Sequence, residues 1–131
     1  MSVCNRWVTQ LRIDPCPVLL SSGNKVIVYF TRRDLLNEAV EPIEAVWALS
    51  EVKKILKKQQ ADGTWKHSGK ETVTYPPHHF ALVETWKNLR NLVEYYEADR
   101  RVEAVKKAAE FIFSCQTSQG DIRGMLANQY A

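Results

Sequence analysis

Gln59-Gln60-Ala61-Asp62-Gly63-Thr64-Trp65 (QQADGTW) closes one amphipathic segment, and Gln116-Thr117-Ser118-Gln119-Gly120-Asp121-Ile122 (QTSQGDI) closes another, 57 residues further on. Each reads Gln, three residues, Gly, one residue, then a large apolar side chain. Glycine takes the left-handed backbone conformation that stops a helix without a Cβ clash. A glutamine near a helix end can give its amide to terminal carbonyls that have no partner inside the helix. The large residue two positions after glycine can fold back on the helix as a hydrophobic clip. A unit repeated at such a period predicts an array of helical hairpins, each hiding its apolar side against the next. The fold class expected is therefore all-α.

Outward from the first turn, Pro42 to Gln60 predicts one continuous helix. Proline suits a first helical turn, and Glu41 and Glu44 suit its positive end. Ala45, Ala48, Leu49, Val52, Ile55 and Leu56 recur at steps of three and four, while Lys53, Lys54, Lys57 and Lys58 take the remaining surface. Trp65 to Pro77 is a long loop holding Tyr75 and the pair Pro76-Pro77. Phe80 to Tyr96 predicts a second helix, with Leu82, Trp86, Leu89, Val93 and Tyr96 as an apolar stripe that Leu92 widens. Asp99 is a fitting cap for a third, Arg100 to about Cys115. Phe111 makes that helix apolar nearly all round, so it is expected to be largely buried. Asp14-Pro15-Cys16-Pro17 starts a short helix that includes Leu19-Leu20 and that Ser22-Gly23-Asn24 ends. Lys25 to Leu36 is ambiguous: Val26 to Phe30 favours a strand by propensity, and the Arg-Arg-Asp-Leu-Leu after it favours a helix.

The 131 residues fit one domain with its own core. A composition 45% hydrophobic and 25% charged excludes an intrinsically disordered chain. The net charge of +3 is mild, permits an acidic partner, and argues against nucleic acid. Cys4, Cys16 and Cys115 are odd in number and lack Cys-x-x-Cys spacing, which favours reduced thiols and a cytoplasmic setting over a disulfide framework. Asn5, Arg6 and Gln10 interrupt any early apolar run, so a signal peptide is not expected. The longest plain apolar run, Val26 to Phe30, falls far short of the roughly 20 residues that span a bilayer.

The Gln59–Gly63–Trp65 unit resembles the repeat signature of the terpene cyclase and prenyltransferase superfamily, the squalene cyclase-like repeat. Asp14-Pro15-x-Pro17-x-Leu19-Leu20, followed by Val28-x-Phe30-x-x-Arg33-Asp34-Leu35-Leu36, resembles the opening of microbial prenyltransferase-like proteins of unassigned activity. Phe111 to Tyr130 looks like their second repeat, with Ile122 in place of the usual aromatic. The resemblance covers nearly the whole chain. It implies helical hairpin repeats in a partial, open α/α-toroid-like array, and helix over Lys25 to Leu36. Its enzymes close a ring of more helices than this chain supplies. The expectation is a single domain over 1–131, either the N-terminal part of a larger toroid or a short member that covers its apolar face by association with itself or a partner protein.

Candidate sites divide by chemistry. The Asp-x-Asp-Asp proton donor of class II terpene cyclases is absent, and Asp62 and Asp121 read as turn residues. Protein prenyltransferases of this fold hold zinc through Asp, Cys and His. Here the only histidines are His67, His78 and His79, and the adjacent pair would point in different directions on a helix. No metal or cofactor is expected; His78 and His79 are the nearest to ligand-binding candidates. Cys115 could pair with a histidine as a nucleophile, but its apolar context reads as an inert thiol. Trp47, Trp86, Tyr95 and Tyr96 could line a cavity for an isoprenoid or other apolar substrate, or could be core. Lys53, Lys54, Lys57, Lys58, Lys66 and Lys70 could bind an anion or nucleic acid, with Trp65 and Tyr75 to stack on a base, or be a solvated face. The leading reading is a repeat domain without catalysis of its own, acting through an apolar helix face. An enzyme fragment or subunit acting on an apolar substrate is the alternative.

Overall fold

A computed structural model describes residues 3–70 and 78–123, with side chains from Arg6 onward. Tyr75, the pair Pro76-Pro77 and the end of the second resemblance, 124–130, lie outside the described residues. Among the described residues every extended element is a helix, and the one β-contact is a single-residue bridge between Gln116 and Ile122. The fold is all-α. The chain divides into two compact units, one up to Val46 and one from Trp47.

In the first unit a 3-10 helix, Val3–Gln10, precedes α1, Cys16–Leu20. Asp14 Oδ1 accepts the Cys16 amide at 2.9 Å, and Pro15 and Pro17 need no partner there. The stop after α1 differs from expectation. Gly23 is not left-handed; Ser21 ends the helix, and Asn24 starts the next by accepting the amides of Val26 and Ile27 at 2.9 and 3.4 Å. The ambiguous segment is helical: α2, Lys25–Phe30, runs into a π-turn, Thr31–Leu35. The Asn24 cap and the spacing of buried Val26 and Tyr29 overcome strand propensity. The Thr31 hydroxyl donates to the Ile27 carbonyl at 2.7 Å, a back-bond found where helices distort. Left-handed Asn37 ends the segment, and the Tyr29 hydroxyl ties it to the Glu41 carbonyl at 2.7 Å.

The helix expected over Pro42 to Gln60 is two. α3, Glu44–Trp47, stops short, and Leu49, extended at φ −66° and ψ 148°, precedes α4, Ser50–Lys57. Ala45 and Ala48 are accordingly exposed, while Val52 is fully buried.

The second unit continues with α5, His79–Tyr96, and α6, Glu103–Ser114. Glu97 takes the left-handed stop at φ 53°, and the Ala98 amide reaches back to the Leu92 carbonyl at 2.9 Å. Asp99 caps the following turn through the Arg101 amide, and α6 starts three residues later than expected. The core comprises Val52, Trp65, Leu92, Ala98, Val105 and Ala108, with Trp47, Ile55, Leu56, Leu89, Tyr96 and Val102 packed against it. The expected stripe on α5 is only half right. Leu82, Thr85 and Leu92 are its buried line, whereas Trp86 and Val93 face outward. Nor is α6 buried all round, since Phe113 is 67% exposed.

Candidate functional site

The two glycine turns repeat bond for bond at the 57-residue offset. In the first, the Gln60 amide donates to Thr64 O at 2.7 Å and the Gly63 amide to Gln60 O at 3.0 Å. In the second, the Thr117 amide donates to Asp121 O at 2.8 Å and the Gly120 amide to Thr117 O at 2.9 Å. Both glycines are left-handed, at φ +89° and +92°. Gln59 Nε2 donates to Gly63 O at 3.0 Å, and Gln116 Nε2 to Gly120 O at 2.7 Å. The side-chain link across each turn is kept with its chemistry exchanged: Thr64 Oγ1 lies 2.8 Å from Gln60 Oε1, whereas the Thr117 hydroxyl meets the Asp121 carboxylate.

The copies differ in what they touch. Gln59 Nε2 also donates to Ala104 O in the first turn of α6, at 2.8 Å. A Cβ on Gly63 would fall 2.5 Å from the Lys107 carbonyl oxygen, so glycine is what lets α6 come this close. Trp65 folds back as expected, its indole N–H donating to Ile55 O at 2.9 Å. Around Gly120 the nearest atom to such a Cβ is the Gln116 amide nitrogen, 3.8 Å away. Among the described residues the first turn carries a helix and the second has no such neighbour. Phe113 stands where the first copy has Leu56, which packs against the core.

The aromatic candidates do not share one place. The Trp47 indole N–H donates to Tyr96 O at 3.0 Å, and the Tyr96 hydroxyl donates to Glu51 at 3.0 Å. Burial, then the Glu51 carboxylate, pushes the Tyr96 hydroxyl above its ordinary pKa. These bonds tie Trp47 and α4 to the end of α5 within the second unit. Trp86 lies instead on the outer face of α5, in a groove of about 340 Å³ with Lys87, Arg90, Asn91 and Tyr95. The Arg90 guanidinium sits 5.3 Å from the Trp86 ring centroid and 3.0 Å from Glu94.

His78 is exposed at the start of α5, and His79 is buried with its ring against Phe80. Among the described residues no group of three or more His, Cys, Asp or Glu side chains converges on one point. Cys16 and Cys115 are free thiols, and burial pushes both above the ordinary thiol pKa. No described helix is long and apolar enough to cross a membrane.

Lys53, Lys54 and Lys57 are exposed on α4. Lys58 and Lys66 instead line a second cavity of about 390 Å³ with Trp65, Ser68, Glu84 and Asn88. Beside it His67 Nδ1 lies 3.0 Å from Glu84 Oε1, both side chains largely covered, and the His67 ring packs on Phe80. Sequence reasoning had no route to the His67–Glu84 pair. The two lie seventeen positions apart on a loop and a helix, with no local spacing to relate them.

No known protein family, no curated protein and no solved structure matches this chain.

Proposed function

We propose that this chain is a helical repeat module of the open α/α-toroid kind, related to the prenyltransferase-like repeats, without catalysis of its own. It acts in the cytoplasm by association, and its contact surface is the outer face of α5. The observation that carries this reading is the exposure on one helix of Trp86, Val93 and Tyr95, at 37%, 44% and 64%. Arg90 lies over the Trp86 ring, and Tyr95 stands at the far edge of the same groove. Trp, Tyr and Arg are the residues that dominate binding energy at protein interfaces.

The charges on this face favour a second copy as the partner. Lys87 and Arg90 come first along this face, and Glu94, which Arg90 meets at 3.0 Å on its own helix, comes after them. Two α5 helices laid antiparallel place the cations of each against the acid of the other, the self-complementary pattern of a two-fold dimer. The repeat reading is supported by the hydrogen bonds that recur at the 57-residue offset.

Light scattering against concentration tests the proposal. The 15.1 kDa chain is expected to approach twice its mass as concentration rises. The double variant Trp86→Ser, Tyr95→Ser should stay monomeric with unchanged helical circular dichroism. A wild-type chain that remains monomeric at millimolar concentration removes the reading.

A further inference from the structure

The second cavity is lined mostly by polar and charged side chains, with Trp65 as its one aromatic. Its volume of about 390 Å³ falls within the roughly 300–1,000 Å³ usual for small-molecule sites. It joins the end of α4, the loop after Trp65 and the middle of α5, all in one compact unit. Lys58 and Lys66 stand at its mouth, and among the described residues neither enters an ion pair. Glu84 has partners of its own: its Oε1 lies 3.0 Å from His67 Nδ1 and 3.8 Å from Lys87 Nζ. Lys58 and Lys66 are the two cations that line the cavity. Asn88 Nδ2 donates to the Glu84 backbone carbonyl at 2.8 Å, which holds the amide along its own helix.

These groups sort into two halves. Two ammonium groups and the Ser68 hydroxyl suit a phosphate, which accepts from all three. A carboxylate and an amide suit hydroxyl groups, which need acceptors as well as donors. Trp65 forms the wall, its indole held to Ile55 O and unable to leave. We propose that this cavity binds a hydroxylated organic phosphate of sugar-phosphate size. Lys58, Lys66 and Ser68 hold the phosphate. Glu84 and Asn88 receive the hydroxyls. His67 positions Glu84 and does not touch the ligand.

The test is a chemical-shift titration of the full chain with ribose 5-phosphate, and in parallel with inorganic phosphate and with ribose. Ribose 5-phosphate is expected to give saturable shifts at the Lys66 and Ser68 amides and the Trp65 indole N–H. Inorganic phosphate should bind at the same place about tenfold more weakly, since a hydrogen bond to a charged group is worth about one decade in affinity. Lys58→Gln and Lys66→Gln should each weaken both phosphates about tenfold. Glu84→Gln should weaken ribose 5-phosphate and leave inorganic phosphate unchanged. Should Glu84→Gln disturb the fold, Lys66→Gln and Ser68→Ala, at exposed loop positions, decide the phosphate half. Substitution of Asn88 by Asp then decides the hydroxyl half by its selective effect on ribose 5-phosphate. Absence of saturable shifts overturns the proposal. So do shifts indifferent to Lys58→Gln and Lys66→Gln, or equal affinity for the two phosphates.

Discussion

Replacing Gly63 and Gly120 by alanine separates two costs that look alike in sequence. Both positions are left-handed, so each alanine loses about 1–2 kcal/mol to backbone strain. Only at Gly63 would the new methyl meet the Lys107 carbonyl, at 2.5 Å. Overpacking of that kind adds about 1–3 kcal/mol. Urea unfolding should therefore rank Gly63→Ala clearly below Gly120→Ala; equal losses would mean that α6 does not rest on the first turn. The glutamines follow the same rule. Gln59→Ala removes two hydrogen bonds, one of them to α6, at about 1 kcal/mol each. Gln116→Ala removes one exposed bond and should cost much less. The turn aspartates set a pH dependence. The Thr64 hydroxyl and amide hold Asp62 below the usual carboxylate pKa, and the Thr117 hydroxyl and Arg123 do the same for Asp121. Their contribution to stability is complete above the unfolded value of about 3.9 and disappears as pH falls through the lower folded values. Carboxyl carbon NMR should find both titrating below that value, and Asp62→Asn should flatten part of the acid side of the stability profile.

At the scale of elements, what sequence discloses depends on whether a local signal meets competition. The glycine turns were legible because left-handed backbone and a nearby glutamine are local requirements, met within seven residues. Helices α5 and α6 were legible because their periodicity is long. The Val26–Phe30 segment was not legible by propensity, since the Asn24 cap and the burial of Tyr29 decide it. Asn24→Ala should thus cost about 0.5–2 kcal/mol, measured by denaturant unfolding. The break at Leu49 left no mark, because Ala48-Leu49-Ser50 continues the apolar spacing while the backbone turns extended. The stop at Glu97 was hidden as well, since a glutamate carries no signal for left-handed backbone. Glu97→Gly should remove that strain and stabilise the chain by about 1 kcal/mol in the same assay.

For the whole molecule, the legible part of the candidate site was chemistry type and the illegible part was location. Aromatic and lysine residues stood out in the sequence, but spacing could not say that Trp47 and Tyr96 brace the core while Trp86 faces out. Nor could it separate Lys58 and Lys66, which share a cavity, from Lys53, Lys54 and Lys57, which do not. Facing is settled by packing between distant segments, which periodicity on one helix leaves two-fold ambiguous whenever both sides are apolar. In the proposed function the exposed apolar residues of α5 are a surface that a second copy of the chain covers. The most direct measurement follows amide chemical shifts of the wild-type chain as concentration is raised. Shifts concentrated at Trp86, Arg90, Val93, Glu94 and Tyr95 are the expected result. A spectrum that stays constant to millimolar concentration, or that changes elsewhere while α5 stays still, would contradict the account.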